Sequence, residues 1–317
     1  MPAPDALGVF LRPRVVLEFD LALNMLAYVP LGALACLLLM SRHPPWAARA
    51  KAVAWCAAFS LAMEAMQLFI ATRVASAYDI AANAAGAFAG TLVFAGPMRE
   101  LVIRPLAQAR ERLVAGGGWG DAGLVLVALW LLAQLNPAMP FFEAGNIGGE
   151  GAPQPGEFLV TAGSVSLAVA GFGLFVSVLL KGPGGALRWT LLLLTVALWF
   201  KFATTSVMLK PHLAAGWVSE GRAAGLATGL LFFLPLRTLG RAARIYLAII
   251  LTLAGALFAK IFGAYSALGD FLSLFSWPYG QLATFATLTR AIHEAWPALA
   301  LAWLIALFVW RRDEPLQ

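Results

Sequence analysis

Apolar runs of roughly 20 residues, rich in Leu and Ala, recur along the whole chain, each long enough to cross a ~30 Å hydrocarbon core. Inside lipid, backbone N–H and C=O groups have no water to bond. Only helices, or barrels closed on themselves, satisfy them there. A barrel would show alternating segments of ~10 residues, and the chain has none. The 317 residues are 61% hydrophobic and 12% charged, against about a quarter charged in a soluble domain. The expected fold is therefore all-α, a polytopic transmembrane helix bundle.

About nine spans can be read from the apolar runs: 20–40, 52–72, 79–95, 122–140, 158–180, 189–209, 217–236, 242–262 and 296–310. Basic residues alternate from connector to connector. Arg42, Arg49 and Lys51 precede or open the second span, and Arg99, Arg104, Arg110 and Arg112 follow the third. Lys181 and Arg188 follow the fifth, Arg237, Arg241 and Arg244 the seventh, and Arg311 and Arg312 the last. Cytoplasmic connectors carry such an excess. Glu143, Glu150 and Glu157 lie in a connector without Lys or Arg, which places it outside. The expected orientation is N-terminus out and C-terminus in. Arg12 and Arg14 run against it, and residues 6–19 read as either an interfacial helix or a short, degenerate span.

The net charge of +6 is spent on these connectors, so no nucleic-acid partner is expected. Cys36 and Cys56 lie inside apolar runs without disulfide or metal spacing and read as small buried hydrophobes. Residues 96–120 contain a basic stretch and then Gly116, Gly117 and Gly118, suggesting an inner-surface helix attracted to anionic lipid, followed by a hinge. That divides the chain into a first region, 1–115, and a second, 116–317. Residues 263–293 read as an outer-surface or re-entrant segment.

Polar residues inside hydrocarbon are costly and mark functional sites by default. Seven cluster in the first ninety positions: Asp20, Asn24, Glu64, Gln67, Arg73, Asp79 and Asn83, followed by Gly86 and Gly90. Asp20, Asn24 and Tyr28 share one helix face, as do Ser60, Glu64, Gln67 and Ala71. Asp79, Asn83, Gly86 and Gly90 make a third stripe, whose small residues admit a close neighbour. Lipid satisfies none of these groups, so the stripes should face one another. With the N-terminus outside, Asn24 lies ~6 Å below Asp20, Glu64 ~12 Å below Thr72, and Asn83 ~6 Å below Asp79. The expected object is a polar pocket in the outer half of the membrane, in which Arg73 pairs with an aspartate and Glu64 hydrogen-bonds to Asn or Gln.

Asn24 is followed by Val29-Pro30-Leu31-Gly32, Glu64-x2-Gln67 leads to Arg73, and Asp79-x3-Asn83 leads to Gly86 and Gly90. This pattern resembles the VanZ-like family of bacterial membrane proteins over about residues 15–95. Residues 1–19 are shorter and more charged than the extra hydrophobic helix with which that module usually begins. Gln134-Leu135-Asn136-Pro137 is similar to a stretch in longer bacterial members. The resemblance implies the bacterial cytoplasmic membrane and a link to glycopeptide resistance, teicoplanin in particular. It implies no reaction.

Elsewhere Lys201 lies within a span, and Glu220 and Arg222 open the next on the same side, within reach of it; these are secondary candidates. Three scattered His residues make no metal site, and no cofactor motif is present. Three functions compete. The first is a non-enzymatic protein that binds an envelope lipid or a glycopeptide, or scaffolds envelope proteins. The second is an enzyme acting on a lipid-linked cell-wall precursor, with Glu64 or Asp79 as acid or base and Arg73 holding phosphate. The third is a transporter, for which paired broken helices are missing.

Overall fold

A computed structural model of the chain describes residues 18–67, 76–93, 101, 104–139, 141, 157–210, 218–262, 274–275 and 280–310. Arg12, Arg14, Arg73, Glu143, Glu150 and the Gly-rich loop 145–156 lie outside these. The described residues are helical: α1 Glu18–Met40, α2 Pro45–Gln67, α3 Ala77–Val93, α4 Arg104–Leu113, α5 Gly117–Gln134, α6 Glu157–Leu179, α7 Ala186–Met208, α8 Glu220–Leu236, α9 Arg241–Phe262 and α10 Gly280–Trp310. A 3₁₀ turn, Pro183–Gly185, leads into α7.

Six of these helices are long and apolar enough to cross a bilayer: α1, α5, α6, α7, α9 and α10. Nine spans were expected. Among the described residues, α3 and α8 are 17 residues long, or ~25 Å at 1.5 Å per residue. The described part of α2 is diluted by Arg49, Lys51 and Glu64. The last helix departs from expectation in the other direction. It begins at Gly280 and runs through Pro297, so residues 280–293, expected in a surface connector, are its first turns. Large apolar side chains such as Leu38, Trp199, Phe202, Phe232 and Ile261 are exposed on the helices' outer faces. A water-soluble monomer does not tolerate so much of this surface, and lipid solvates it.

The chain forms two compact units, Met1–Gln108 and Ala109–Gln317. In the first, α1, α2 and α3 pack as a three-helix bundle. The α1–α3 contact is backbone to backbone. A Cβ added at Gly86 would lie 2.0 Å from the Met25 carbonyl oxygen, and one at Gly90 would lie 2.0 Å from that of Val29. Gly32 of α1 answers from the other side, 2.3 Å from the Ala87 oxygen by the same construction. At the other end Cys36, Ala48 and Ala52 pack together, and both cysteines are buried thiols.

In the second unit α6 is the most enclosed helix, packed by α8 and α9, with α5, α7 and α10 completing the bundle. Its centre is aromatic. Trp130 stacks on Phe172 with centroids 4.0 Å apart, and Phe175 lies against Trp296 and Trp303. The indole N–H of Trp296 donates to the Leu126 carbonyl at 2.7 Å, so its polar edge is satisfied in the core. Gly221, Gly225 and Gly229 seat α8 on α6, against Thr161, Ala162 and Ser166. Helix α4 buries none of its residues. Its end is tied down by Arg110, which donates to Asp121 at 2.5 and 2.9 Å, and by Lys181, which donates to the Glu111 carbonyl. The chain then turns at Gly117, whose φ of 75° favours glycine.

Gly86→Ala is expected to cost about 2 kcal/mol or more, because a methyl has no room beside the Met25 carbonyl. Gly116→Ala, where a Cβ meets nothing, is the control. Loss of helical circular dichroism on heating checks this; equal transition temperatures would count against the glycine contact.

Candidate functional site

The start of α3 organises the polar cluster. Ser76 precedes its first residue, and the Ser76 hydroxyl oxygen accepts the Tyr78 N–H at 3.2 Å, an N-cap. Asp79 is the third helical residue. In the usual capping box that position reaches back to the N–H of the cap residue. Here a neighbouring helix supplies the acceptor instead: Glu64 of α2 takes the Ser76 N–H on Oε2 at 3.0 Å. Asp79 turns toward α1, where its Oδ1 accepts from Asn24 Nδ2 at 2.8 Å. Both carboxylates thus lie at a helix N-terminus, where the aligned peptide dipoles favour negative charge.

One turn further along α3, Asn83 Nδ2 donates to Ser60 Oγ of α2 at 2.8 Å. Tyr28 of α1 lies close to Ser60 as well. Each helix therefore contributes two groups one turn apart: Asn24 and Tyr28, Ser60 and Glu64, Asp79 and Asn83. Glu64 is 3% exposed and Asn83 5%, while Tyr28 and Asp79 are half-buried, so the cluster has an inner wall and an open rim. Among the described residues, Asn83 Oδ1 is buried without a hydrogen-bond partner.

The structure brings together Asn24, Glu64, Asp79 and Asn83, with Gly86 and Gly90 below them closing α3 on α1. Asp20 lies one turn before Asn24 on α1, and Gln67 three residues after Glu64 on α2; their side chains, and Arg73 altogether, lie outside the described residues. Glu64 was expected to bond to Asn or Gln: the two asparagines donate to Asp79 and Ser60, and the Gln67 side chain lies outside the described residues. Ser76 escaped the sequence reading. Its signal was the Ser-x2-Asp spacing ahead of an apolar run, a helix-start pattern.

The secondary candidates lie in the other unit. Lys201 is 0% exposed, and its ammonium donates to the carbonyls of Asn136 and Met139 at 2.5 and 2.9 Å. These carbonyls follow the end of α5, where Pro137 and Pro140 cannot supply N–H donors. Asn136 fixes the same turn: its side chain donates to Ala286 O and Thr289 Oγ1 of α10 and accepts from Ala138 N–H. Two of the three N–H donors of Lys201 thus point to α5 and not to Glu220. Glu220 is exposed at the start of α8, where Ser219 caps the Arg222 N–H. Arg290 pairs with Glu294 one turn along α10, at 2.8 Å. No group of three or more His, Cys, Asp or Glu that could hold a metal occurs among the described residues.

Glu64→Leu leaves the buried Ser76 N–H without that acceptor, and the expected cost is about 2 kcal/mol; Glu64→Gln keeps an oxygen there and should cost about 1 kcal/mol. Amide exchange over the first turn of α3 reads the difference; equal protection in both variants would remove Glu64 from the cap. Lys201→Met strands two carbonyls and should cost about 3 kcal/mol. The check is the unfolding transition of the second unit, which Lys201→Arg should disturb less if charge at the α5 end is what matters.

No curated protein and no solved structure matches the chain. The model of the VanZ/LLP1 family matches residues 5–104, and with them all three stripes, so the first third of this chain is a VanZ-like region.

Proposed function

We propose that the VanZ-like region binds the polar end of an envelope amphiphile, a lipid or a glycopeptide-type molecule, in the outer half of the bacterial cytoplasmic membrane. In this reading the chain lies N-terminus out and C-terminus in, and the bound molecule links it to envelope integrity and glycopeptide resistance. The observation that carries the reading is the convergence of three helices on one polar cluster. Asn24, Ser60, Glu64 and Asn83 are all buried there, on helices whose other faces are lined by Leu34, Leu38, Phe59 and Phe88. Interhelical polar contacts in membranes contribute only about 0.6 kcal/mol each. Assembly alone is a weak reason to keep so many, particularly with the Gly86–Gly90 contact already joining α1 to α3. Glu64 is spent on the start of α3, which favours binding over acid–base work.

Mass spectrometry of an organic extract of the purified protein tests this. The wild type should carry a bound amphiphile, and a variant combining Asn24→Leu with Asp79→Leu should retain about tenfold less, the effect of one lost hydrogen-bonded group. Expression of the wild type, and not of the variant, should reduce teicoplanin susceptibility. Identical extracts from two equally folded proteins would end the proposal.

A further inference from the structure

The two ends of the second unit differ in charge. Helix contacts gather the start of α5, the end of α6 and the starts of α7 and α9 at one end: the Ala115 N–H donates to Leu179 O, the turn Pro183–Gly185 leads from α6 into α7, and Arg244 donates to Ser177 O. Among the described residues, this end carries Arg110, Arg112, Lys181 and Arg188, and further arginines at the turn from α8 to α9, against Glu111 and Asp121. Asp121 is already matched by Arg110. At the opposite end Lys210, Arg222 and Arg290 are balanced by Glu157, Glu220 and Glu294. Helix α4 is fastened to the basic end. Leu113 O accepts the Lys181 N–H, the Lys181 ammonium donates to the Glu111 carbonyl, and the Leu113 side chain packs on the core. Leu106 lies seven residues earlier on the same face of α4, and it is 63% exposed. The apolar stripe of α4 thus continues uncovered beyond its anchored end. Arg112, Lys181 and Arg188 are exposed and come from three stretches of chain. Arg188 lies 5.9 Å from the Trp189 ring, and indoles settle at headgroup level.

We propose that this end of the second unit docks on anionic phospholipid: α4 lies in the headgroup layer, Leu106 enters the acyl boundary, and Arg112, Lys181 and Arg188 meet headgroup phosphates. Place and chemistry favour a lipid over a soluble acidic partner. Helices α5, α6 and α7 are long and apolar enough to cross a bilayer, so their ends open on its surface. A helix with an apolar stripe and cations on its flank lies in that plane. Basic residues beside membrane-spanning helices draw anionic headgroups. The proposal is independent of the VanZ-like cluster and of any ligand bound there.

The test is native mass spectrometry of the full chain released from nanodiscs holding equal parts phosphatidylglycerol and phosphatidylcholine. The wild type should retain phosphatidylglycerol preferentially. Arg112→Gln and Arg188→Gln should each cut that preference about fivefold, the worth of one cation at an anionic surface. Arg112→Lys keeps the charge and should preserve it, and so should Lys210→Gln at the opposite end. A bimane label on Leu106→Cys should be quenched by doxyl lipid and shielded from iodide; Cys36 and Cys56 are buried and leave the new thiol to react. Equal retention of the two lipids, or a preference that Arg112→Gln and Arg188→Gln both leave intact, would overturn the proposal. So would a label at Leu106 open to iodide and untouched by doxyl lipid. Release of the lipid by polyglutamate at physiological salt would give the surface to a soluble acidic partner and overturn it as well.

Discussion

A peptide group in hydrocarbon must find its partner within the protein. Helix interiors meet that demand through their own ladder, so the unmet groups gather at helix ends. Both units of this chain place their costliest side chains at such ends. Glu64 reaches from α2 to the N–H that begins α3. Lys201 reaches from α7 to the carbonyls that follow α5. Arg244 of α9 donates to the Ser177 carbonyl in the last turn of α6, at 2.6 Å, and to Leu239 O. The acid sits at an N-terminus and the bases at C-termini, the arrangement the helix dipole favours.

This changes how some charged residues are understood. Arg244 reads from sequence as one more cytoplasmic cation of the positive-inside pattern. It is also buried, and its guanidinium ties α9 to α6. Lys201 reads as a possible partner for Glu220 across two spans. Its ammonium instead closes a turn that two prolines had left without donors. In the VanZ-like unit the same logic frees Asp79. Because Glu64 takes the capping bond, Asp79 can hold Asn24, and the three stripes lock into one cluster.

Much of the site was legible because helical periodicity is a local property. Asn24 and Tyr28, Ser60 and Glu64, Asp79 and Asn83 recur four residues apart, and that spacing alone puts each pair on one face. Gly86 and Gly90 follow on the stripe of Asp79. The Gly221, Gly225 and Gly229 row of α8 had the same spacing but no run of polar residues like that of α3 leading into it, so nothing singled it out. Ser76 was visible only as a cap, since it lies between helices and on no stripe. The span count was less legible. Apolar runs announce helices well, but 17-residue helices such as α3 and α8 are too short to declare a crossing by themselves, and α10 continues past Pro297 because neighbours hold it.

Composition and periodicity by themselves determined that this chain is a bundle of lipid-exposed helices and which side chains share a face. They do so because both depend on residues a few positions apart. Only the tertiary structure decided who bonds to whom: Glu64 with Ser76, Asp79 with Asn24, Asn83 with Ser60, Lys201 with the end of α5. Each of those choices joins residues on different helices, and several acceptors compete for every donor. Distance in the folded bundle, which no local pattern encodes, selects among them.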